Sequence, residues 1–338
     1  MTELQRRRGP TIQSIAEAAR VGSATVDRVL NARSGVREQT RQRVLEALEK
    51  LAKENLSDLG SLDVRLFCES GDTFNEAMAA AVDSVNRTKP GVQVVGNYVR
   101  TSRLEADKFS GQIIEAGQKS DGVVLVAHEH PAVNQAVRQL RAKNIPVVCL
   151  TTDLPSSRRN AYIGNDQYAA GSVAGQLIGH ACTGRSGRIL IAMSVSFRCQ
   201  QEREMGFRRT LRTEFQDLRI EERLISDDEP ETTYDQLGRY FDEHGVPDAI
   251  YNVSGGNRGV AQALEKFRNE KKTIFVGHEL TPISRGLLEA GTMDYVISHN
   301  FADELARAVA YIRDTLSFNP PDPAPSQILV HTKFNCDT

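Results

Sequence analysis

From residue 63 onward the chain alternates short runs rich in β-branched and aromatic residues with longer helical patterns. These runs are residues 64–68, 92–99, 122–126, 147–150, 188–192, 218–225, 249–253, 273–276, 295–297 and 328–331. Strands that alternate with helices in this way predict βαβ units and parallel sheets. We therefore expect an α/β body, and two sheets of about five or six strands each account for the runs better than one sheet.

Three segments outside these patterns are expected to cross between the two lobes that such sheets would form. They are residues 152–165, residues 298–300 and the proline-rich residues 319–325. The last of them precedes the final predicted strand, so the chain is expected to change lobes three times.

The N-terminal residues 11–51 carry a different pattern. Thr11 is a candidate N-cap, and inward-facing apolar positions recur at helical spacing in three runs: Ile12, Ile15, Ala16 and Ala19; then Val26, Val29 and Leu30; then, from about Glu38, Val44, Leu45, Leu48 and Leu51. Only residues 20–22 separate the first two runs. Three short helices with a tight first turn predict a helix-turn-helix, in which the N-terminal end of the second helix enters the major groove of DNA.

Charge supports this interpretation of the N-terminal segment. Residues 1–45 contain nine arginines and four acidic residues, a net charge of +5, whereas the whole chain carries −2 and the remainder therefore −7. A basic segment on an acidic body is expected to contact phosphates at one end only. The alternative is that the three helices belong to a larger domain and that their polar side chains are merely solvated.

The motif of the first fifty residues resembles the headpiece of the lactose-repressor (LacI) family of bacterial transcription regulators. The matching positions are Thr11-Ile12-x-x-Ile15-Ala16-x-x-Ala19-x-Val21-x-x-x-Thr25-Val26-x-Arg28-Val29-Leu30-Asn31. The resemblance implies that Ser23 and Ala24 read bases and that Thr25, Arg28 and Asn31 touch phosphates or bases, for which hydroxyl, amide and guanidinium groups are suited. The predicted DNA-binding residues are Thr11, Ser23, Ala24, Thr25, Arg28, Asn31 and Arg37.

The chain departs from the family pattern at four places, one of which is the small, poorly directional pair Ser23-Ala24 in the recognition helix. Arg20 replaces the usual turn glycine, at a cost of roughly 1–2 kcal/mol if its backbone is left-handed. Gly22 replaces the usual serine N-cap. The linker at residues 52–62 is shorter than usual; Leu56 and Leu59 are its candidates for a hinge that inserts into the minor groove, and a flexible linker is the alternative.

The body resembles the two-lobed periplasmic sugar-binding fold that LacI-type regulators use as an effector domain. We therefore predict a helix-turn-helix headpiece at residues 1–51, a linker at 52–62 and an effector-binding and dimerisation domain at 63–338. Within that domain the N-lobe would comprise about residues 63–160 and 299–320, and the C-lobe about residues 161–298 and 321–338.

Ligands of parallel sheets bind beyond the carboxyl ends of the strands, and sugars need fixed polar groups and an aromatic face. The predicted effector-binding residues are Asp72, Phe74, Thr151, Asp153, Arg203, Asn257, Glu279 and His299. The resemblance implies that Arg203 and Glu279 match a sugar-binding arginine and aspartate, and that His299 stands where glutamine or asparagine is common. Thr151 stands where a carboxylate is common, with Asp153 as a substitute two residues on. The alternatives are a solvated helix face for Arg203, a helix cap for Glu279, and a pair with Arg158 or Arg159 for Asp153.

Enzyme signatures are missing from the sequence. It has no Walker loop, no G-x-S-x-G elbow and no G-x-G-x-x-G after the first strand, so neither catalysis nor a cofactor is expected. His128 and His130 lack a nearby third ligand, so a metal is not expected. The sequence has no apolar run long enough to cross a membrane and no secretion signal. Its five scattered cysteines suit a reducing cytoplasm.

Together these features predict a DNA-binding regulator, most simply a repressor, that acts as a homodimer on a near-palindromic double-stranded operator. A small polar effector, such as a sugar, polyol or sugar acid, would bind between the lobes and change the affinity for DNA. The alternative is a ligand-binding sensor module whose headpiece does not bind DNA.

Overall fold

The computed structural model describes residues 10–31, 33–58, 61–184, 186–194, 197–221, 223–267, 272–316 and 323–336, without the side chains of residues 49 and 52–58. It contains an N-terminal helical segment followed by two α/β lobes. No helix within these ranges combines the length and the apolar character needed to span a membrane.

The N-terminal segment consists of helices α1 (Ile12–Ala19), α2 (Ser23–Leu30) and α3 (Glu38–Asp58). The N-cap prediction for Thr11 is confirmed, because its hydroxyl accepts a hydrogen bond from the Ser14 amide at 3.1 Å. Arg20 ends α1 in the left-handed conformation, with φ 52° and ψ 52°. The strain expected from an arginine at this turn is therefore present.

A small apolar core joins these three helices. It consists of Ile15, Ala16, Ala19, Val26, Val29, Val44, Ala47 and Leu48. Ile12 and Leu45, which the spacing placed inward, are 42% and 43% exposed. On α3 the inward face is formed by positions 44, 47, 48 and 51, and position 45 lies one residue, about 100° of helical rotation, beyond it.

Helix α3 is longer than predicted, because its backbone continues past Leu51 to Asp58. Most of the predicted linker at residues 52–62 is therefore helical, and the first strand begins at Leu62. The hinge prediction for Leu56 and Leu59 lies outside the described side chains and residues, so it stays a prediction.

The first lobe is a five-stranded sheet with helices on both faces. Its elements are β1 (Leu62–Ser70), α4 (Asp72–Thr88), β2 (Val92–Arg100), α5 (Ala106–Gly117), β3 (Gly122–Val126), α6 (Pro131–Ala142), β4 (Val147–Leu150) and β5 (Ala161–Ile163). The strands run parallel in the order β2-β1-β3-β4-β5. Every residue of β3 is buried, as expected for a central strand covered on both faces.

The second lobe is a seven-stranded sheet. Its elements are α7 (Gln167–Ala181), β6 (Gly187–Met193), α8 (Arg198–Glu214), β7 (Leu218–Ile220), β8 (Leu224–Ile225), α9 (Pro230–His244), β9 (Ala249–Asn252), α10 (Asn257–Lys266), β10 (Ile274–His278), α11 (Pro282–Glu289), β11 (Tyr295–Ser298) and β12 (Leu329–His331). The strand order is β12-β11-β10-β9-β6-β7, and β8 also pairs with β6. Only β12 is antiparallel to its neighbour among these described strands.

The long helix α12 (Phe301–Leu316) returns to the first lobe. It packs with α4 against one face of that sheet, where Leu305, Ala308 and Ile312 are buried. Helices α5 and α6 cover the opposite face. The chain thus leaves the second lobe after β11 and re-enters it at β12, as the predicted three crossings require.

The first crossing lies later than predicted. Strand β5 pairs with β4, with Cys149 opposite Tyr162, so the first lobe extends through Ile163 rather than ending at about residue 160. The crossing consists of residues 164–166, and the segment at 162–163 closes the first lobe instead of opening the second. An isolated bridge between Asn165 and Ser326 joins this crossing to the third one.

Candidate functional site

A partly open cavity lies between the two lobes, at the carboxyl ends of their strands. Six of the eight predicted effector residues line it: Asp72, Phe74, Thr151, Arg203, Asn257 and Glu279. This position agrees with the rule that ligands of open α/β sheets bind beyond the strand ends. The lining is mixed, because the two phenyl rings of Phe74 and Phe197 stand among carboxylates, amides and hydroxyls.

Asp153 and His299 do not line this cavity. The Asp153 carboxylate is paired with the guanidinium of Arg159 at 2.5 and 2.6 Å, which is the alternative the sequence offered for it. His299 is buried and contacts the side chains of Glu279 and Glu304. Neither side chain is therefore placed for direct contact with a molecule in the cavity.

Arg203 on α8 is the central cation of the cavity wall. Its residue is 3% exposed, which rules out a solvated helix face. Its Nε donates to Gln167 Oε1 at 2.7 Å, Nη1 to the Val253 carbonyl at 3.2 Å, and Nη2 to Glu279 Oε1 at 3.0 Å. Three partners from different elements fix the plane of the guanidinium before any ligand arrives.

The position of Arg203 depends on the close approach of α7 and α8. A Cβ atom at Gly171 would collide with the main-chain carbonyl of Arg203, and one at Gly206 with that of Tyr168. Gly175 and Gly179 continue the contact along α7. Glycines at every fourth position form one stripe on a helix, and this spacing in the sequence could have predicted the contact.

Three residues of the cavity wall have strained backbones, one of which is Asp228 with φ 67°. Glu279 has φ 67° and Thr151 has φ 62°, although neither is glycine and threonine is β-branched. The carbonyl of Thr151 accepts hydrogen bonds from Tyr162 Oη at 3.1 Å and Gln167 Nε2 at 2.8 Å, which hold it in place. Strain that surrounding bonds maintain is typical of functional sites.

Glu279 does not cap the helix that follows it. Thr281 is the N-cap of α11, and it forms a capping box with Ser284. The Glu279 side chain is instead directed to Arg203 and to His299, whose Nε2 lies 3.3 Å from its Oε2. The carboxylate is thus available to the cavity rather than to the helix end.

The buried charges of this wall shift one another's pKa values. Burial alone would raise the pKa of Glu279, but the cations of His299 and Arg203 hold it well below its ordinary range. Burial opposes a charged His299 ring, but the carboxylates of Glu279 and Glu304 raise its pKa to about 10. Both side chains are therefore charged at neutral pH.

Asp228 is a lining residue that was not predicted from the sequence. It follows the two-residue strand β8 within an acidic run, so no periodic signal marked it. Its Oδ2 accepts a hydrogen bond from Ser194 Oγ at 2.9 Å, and the carboxyl is buried beside Ser254 and Gly255. Burial raises the pKa of this carboxyl.

The two lobes touch around the rim of the cavity. Ser102 Oγ donates to Glu229 Oε1 at 3.2 Å, and the ring of His128 lies edge-on to that of Phe197 with centroids 6.1 Å apart. A Cβ at Gly71 would lie 3.2 Å from Asp228 Cβ in the opposite lobe. The lobes therefore stand in a closed arrangement.

The second helix of the N-terminal segment presents its predicted DNA-binding residues outward. Ser23 and Ala24 are exposed at its first turn, Arg28 is exposed one turn later, and Thr25 is half-buried. The Asn31 amide donates to Oδ1 of Asp27 at 2.8 Å and to its carbonyl at 2.9 Å.

Thr11 and Arg37 complete the predicted set, and both are exposed. The Thr11 hydroxyl is already engaged as the cap of α1. These positions suit contact with a nucleic acid, and the individual roles stay predictions.

Comparison with known proteins identifies both parts of the chain. Residues 66–319 match the family model described as the periplasmic binding protein domain, and residues 11–52 match that of bacterial regulatory proteins of the lacI family. The curated relative "Probable HTH-type transcriptional repressor ExuR" of Bacillus subtilis (strain 168) is 24% identical over 213 residues. That match covers 58% of this chain and 59% of the relative, so less than two thirds of the relative's length is spanned.

Solved structures resemble the two-lobed body. The glucose-galactose binding protein GanP from Geobacillus stearothermophilus has a TM-score of 0.72 at 24% identity and covers 81% of this chain and 98% of its own. A solute binding protein of an ABC transporter from Burkholderia graminis C4D1M, in complex with D-arabinose, has a TM-score of 0.74 at 20% identity, with coverages of 82% and 97%. At these identities the likeness establishes the fold.

The fold and the two matches define a class of protein, in which a DNA-binding headpiece is joined to a two-lobed ligand-binding body. The chain belongs to the periplasmic binding protein domain family through residues 66–319, and its residues 11–52 match the model of bacterial regulatory proteins of the lacI family. The family resemblance and the fold class predicted from the sequence are thereby confirmed.

Proposed function

We propose that this chain is a transcriptional repressor whose affinity for its operator is set by a sugar-like effector bound in the inter-lobe cavity. The observation that carries the proposal is the fixed Arg203–Glu279 pair in the cavity wall, on a chain whose N-terminal helices expose a basic surface. A guanidinium and a carboxylate held in contact supply the adjacent donor and acceptor that neighbouring hydroxyl groups require.

The effector we propose is a sugar, a polyol or a sugar acid. Support comes from the mixture of polar groups and phenyl rings in the lining, since sugar sites combine both. Structures similar to the body are described in complex with D-arabinose and with bound D-allose. Asp72, Phe74, Thr151 and Asn257 are the further contacts we propose beside Arg203 and Glu279.

Asp228 is a seventh proposed contact. It lines the cavity, and its left-handed backbone (φ 67°) holds the carboxyl against Gly71 of the opposite lobe. An effector that contacts Asp228 of the second lobe and Asp72 of the first lobe would bridge the lobes and would therefore favour the closed arrangement.

The assembly we propose is a cytoplasmic homodimer on a near-palindromic operator. Two headpieces related by a two-fold axis read two half-sites, and the spacing of the half-sites follows from the dimer. A change in lobe angle that alters this spacing would couple the effector to DNA affinity, typically by ~1–3 kcal/mol.

The DNA-binding part is tested by binding of the full chain to genomic fragments at increasing salt. We expect steep weakening with salt, because phosphate contacts release counterions, and uniform weakening in Arg28→Ala. Arg208→Ala, on α8 of the body, is the control for loss of a positive charge. Binding that is absent or insensitive to salt would favour the sensor module instead.

The effector part is tested by thermal shift with D-glucose, D-galactose, D-arabinose, D-allose and their corresponding sugar acids. A ligand at a hundred times its dissociation constant stabilises by roughly 2.7 kcal/mol. The gain should disappear in Asp228→Asn, which preserves the shape of the side chain, and persist in Asp153→Asn, whose carboxylate lies outside the cavity. A gain that survives Asp228→Asn would remove Asp228 from the site.

A further inference from the structure

Four ionisable side chains form a buried chain of contacts that runs from the cavity wall to α12. Arg203 Nη2 lies 3.0 Å from Glu279 Oε1, Glu279 Oε2 lies 3.3 Å from His299 Nε2, and His299 Nδ1 lies 2.9 Å from Glu304 Oε2. The side chains of His299 and Glu304 are 1% and 0% exposed. The contacts to His299 are close ion pairs rather than well-aligned hydrogen bonds.

The contacts of the ring favour its protonated form. Each nitrogen of His299 faces a carboxylate oxygen, one from Glu279 and one from Glu304. A neutral imidazole carries a single N–H, so one of these contacts would bring a nitrogen lone pair against a carboxylate. The imidazolium satisfies both, and only then do the four charges alternate in sign and cancel, which an interior position requires.

The chain of contacts also joins the two lobes. Arg203 and Glu279 belong to the second lobe, His299 lies in the crossing after β11, and Glu304 lies on α12, which packs against the first lobe. The Phe301 ring lies edge-on to that of His299, with centroids 4.7 Å apart, and edge-on to that of the cavity residue Phe74, at 5.0 Å. Movement of one lobe against the other must therefore stretch or rotate these contacts.

We propose that His299 is a positioning residue which, as an imidazolium, holds Glu279 in the cavity wall and ties that wall to α12 through Glu304. The sequence had indicated direct contact with the effector for this residue, whereas the structure places it one step away. The link to effector binding rests on the proposed function; the positioning of Glu279 and of the crossing does not.

The test uses urea and thermal unfolding of the full chain at pH 7, with the variants His299→Gln, Glu304→Gln and their double variant. His299→Gln leaves the Glu304 carboxylate buried without a cation, so its midpoint temperature should fall by several degrees. In the double variant the remaining Arg203–Glu279 pair is balanced and position 304 is neutral. We expect the double variant to be more stable than His299→Gln alone, because the second substitution removes the buried charge.

The matched control is a second buried histidine, which has no carboxylate partner among the described residues. His331 is hydrogen-bonded to Ser298 Oγ at 2.8 Å and to the Asn335 carbonyl at 2.9 Å. His331→Gln should also lower the midpoint temperature. Adding Glu304→Gln to this variant should not restore the midpoint, because the side chains of His331 and Glu304 belong to different networks. If the losses of stability in His299→Gln and Glu304→Gln simply added in the double variant, the proposal would be overturned.

Amide hydrogen exchange supplies a readout that distinguishes positioning from general stability. In His299→Gln the amides of residues 300–305 should exchange faster than in His331→Gln at matched global stability, and the double variant His299→Gln/Glu304→Gln should recover the slower exchange. Unchanged exchange in this segment would also overturn the proposal. Neither measurement uses DNA or a sugar, so failure of the proposed function would leave both results intact.

Discussion

Arg203 and Glu279 meet at 3.0 Å in the wall of the inter-lobe cavity, although they lie 76 positions apart in the sequence. The arginine comes from a helix of ordinary geometry, while the glutamate is held in a left-handed backbone conformation. The pair thus combines a guanidinium fixed by three hydrogen bonds with a carboxylate carried on a strained backbone. A site prepared in this way binds a ligand without first having to order its own side chains.

Replacing Arg203 should affect stability as well as binding. Removal of one partner of a buried ion pair typically costs roughly 3–5 kcal/mol, because the other charge stays buried. Arg203→Ala should therefore lower the free energy of unfolding by an amount of this order, measured by urea denaturation. The double variant Arg203→Ala/Glu279→Gln should lose less free energy of unfolding than the two single variants lose together. A loss equal to that sum would contradict a direct interaction between the two side chains.

The approach of α7 and α8 predicts a second effect. Gly171→Ala places a methyl group against the Arg203 carbonyl, and we expect a loss of roughly 1–3 kcal/mol as the helices move apart. Gly111→Ala is the matched control, because it lies in helix α5 with open space around its Cβ position. That variant should be stabilised by roughly 0.5–1 kcal/mol. If Gly171→Ala left the free energy of unfolding unchanged, α7 and α8 would be able to move apart without a loss of stability.

The sequence predicted the sheets and most of the cavity wall because those features follow from local pattern and chain order. Strand ends can be found from burial runs, and residues that follow them, such as Asp72 and Glu279, meet at one edge of a parallel sheet. Which of these side chains faces the cavity is decided by side-chain pairing, which the strand pattern does not specify. Asp153 faces Arg159 and His299 faces Glu304, and neither partner is fixed by periodicity.

The boundaries of some elements and the position of the first crossing could not be predicted from the sequence, for a related reason. Residues 161–163 are too short to show a strand pattern and become a strand only because β4 offers an edge. Asp228 was missed because its strand has two residues. Short elements stabilised by their neighbours leave no signal of their own.

The protonation of His299 should make the stability of the folded chain depend on pH. Its folded pKa, about 10, lies above its ordinary value of 6.5, so its contribution is fully present below about pH 6.5 and is lost as the pH rises toward 10. We expect the midpoint of urea unfolding to decline more steeply over this range in the wild-type chain than in His299→Gln. The charged or titratable groups that face the ring are Glu279, Glu304 and the buried His278, whose own pKa burial keeps well below its ordinary value.

The two curves should approach each other near pH 10, where half of the wild-type rings have lost their proton in the folded chain. Lysine, tyrosine and cysteine groups also titrate there, but they are common to both proteins and cancel in the difference. Parallel curves from pH 6.5 to 10 would show that His299 is not an imidazolium in the folded chain.

The left-handed residue in the turn between α1 and α2 should reduce the stability of the headpiece. Arg20 is exposed and left-handed at the end of α1, with φ 52°, and a left-handed non-glycine residue costs roughly 1–2 kcal/mol. Arg20→Gly removes this strain but adds the greater entropy of an unfolded glycine, so a net gain of about 1 kcal/mol or less is expected. Arg20→Ala keeps the strain and is the control for loss of the charge.

The two variants separate strain from electrostatics in DNA binding. Both should lose the same contribution of a positive charge to genomic-fragment affinity at low salt, whereas only Arg20→Gly should make residues 11–51 more resistant to limited proteolysis of the full chain. Equal protease resistance in the two variants would mean that the left-handed arginine carries no measurable strain in this turn. A larger loss of affinity in Arg20→Gly than in Arg20→Ala would instead show that a stiff turn between α1 and α2 matters for the fit of the second helix to DNA.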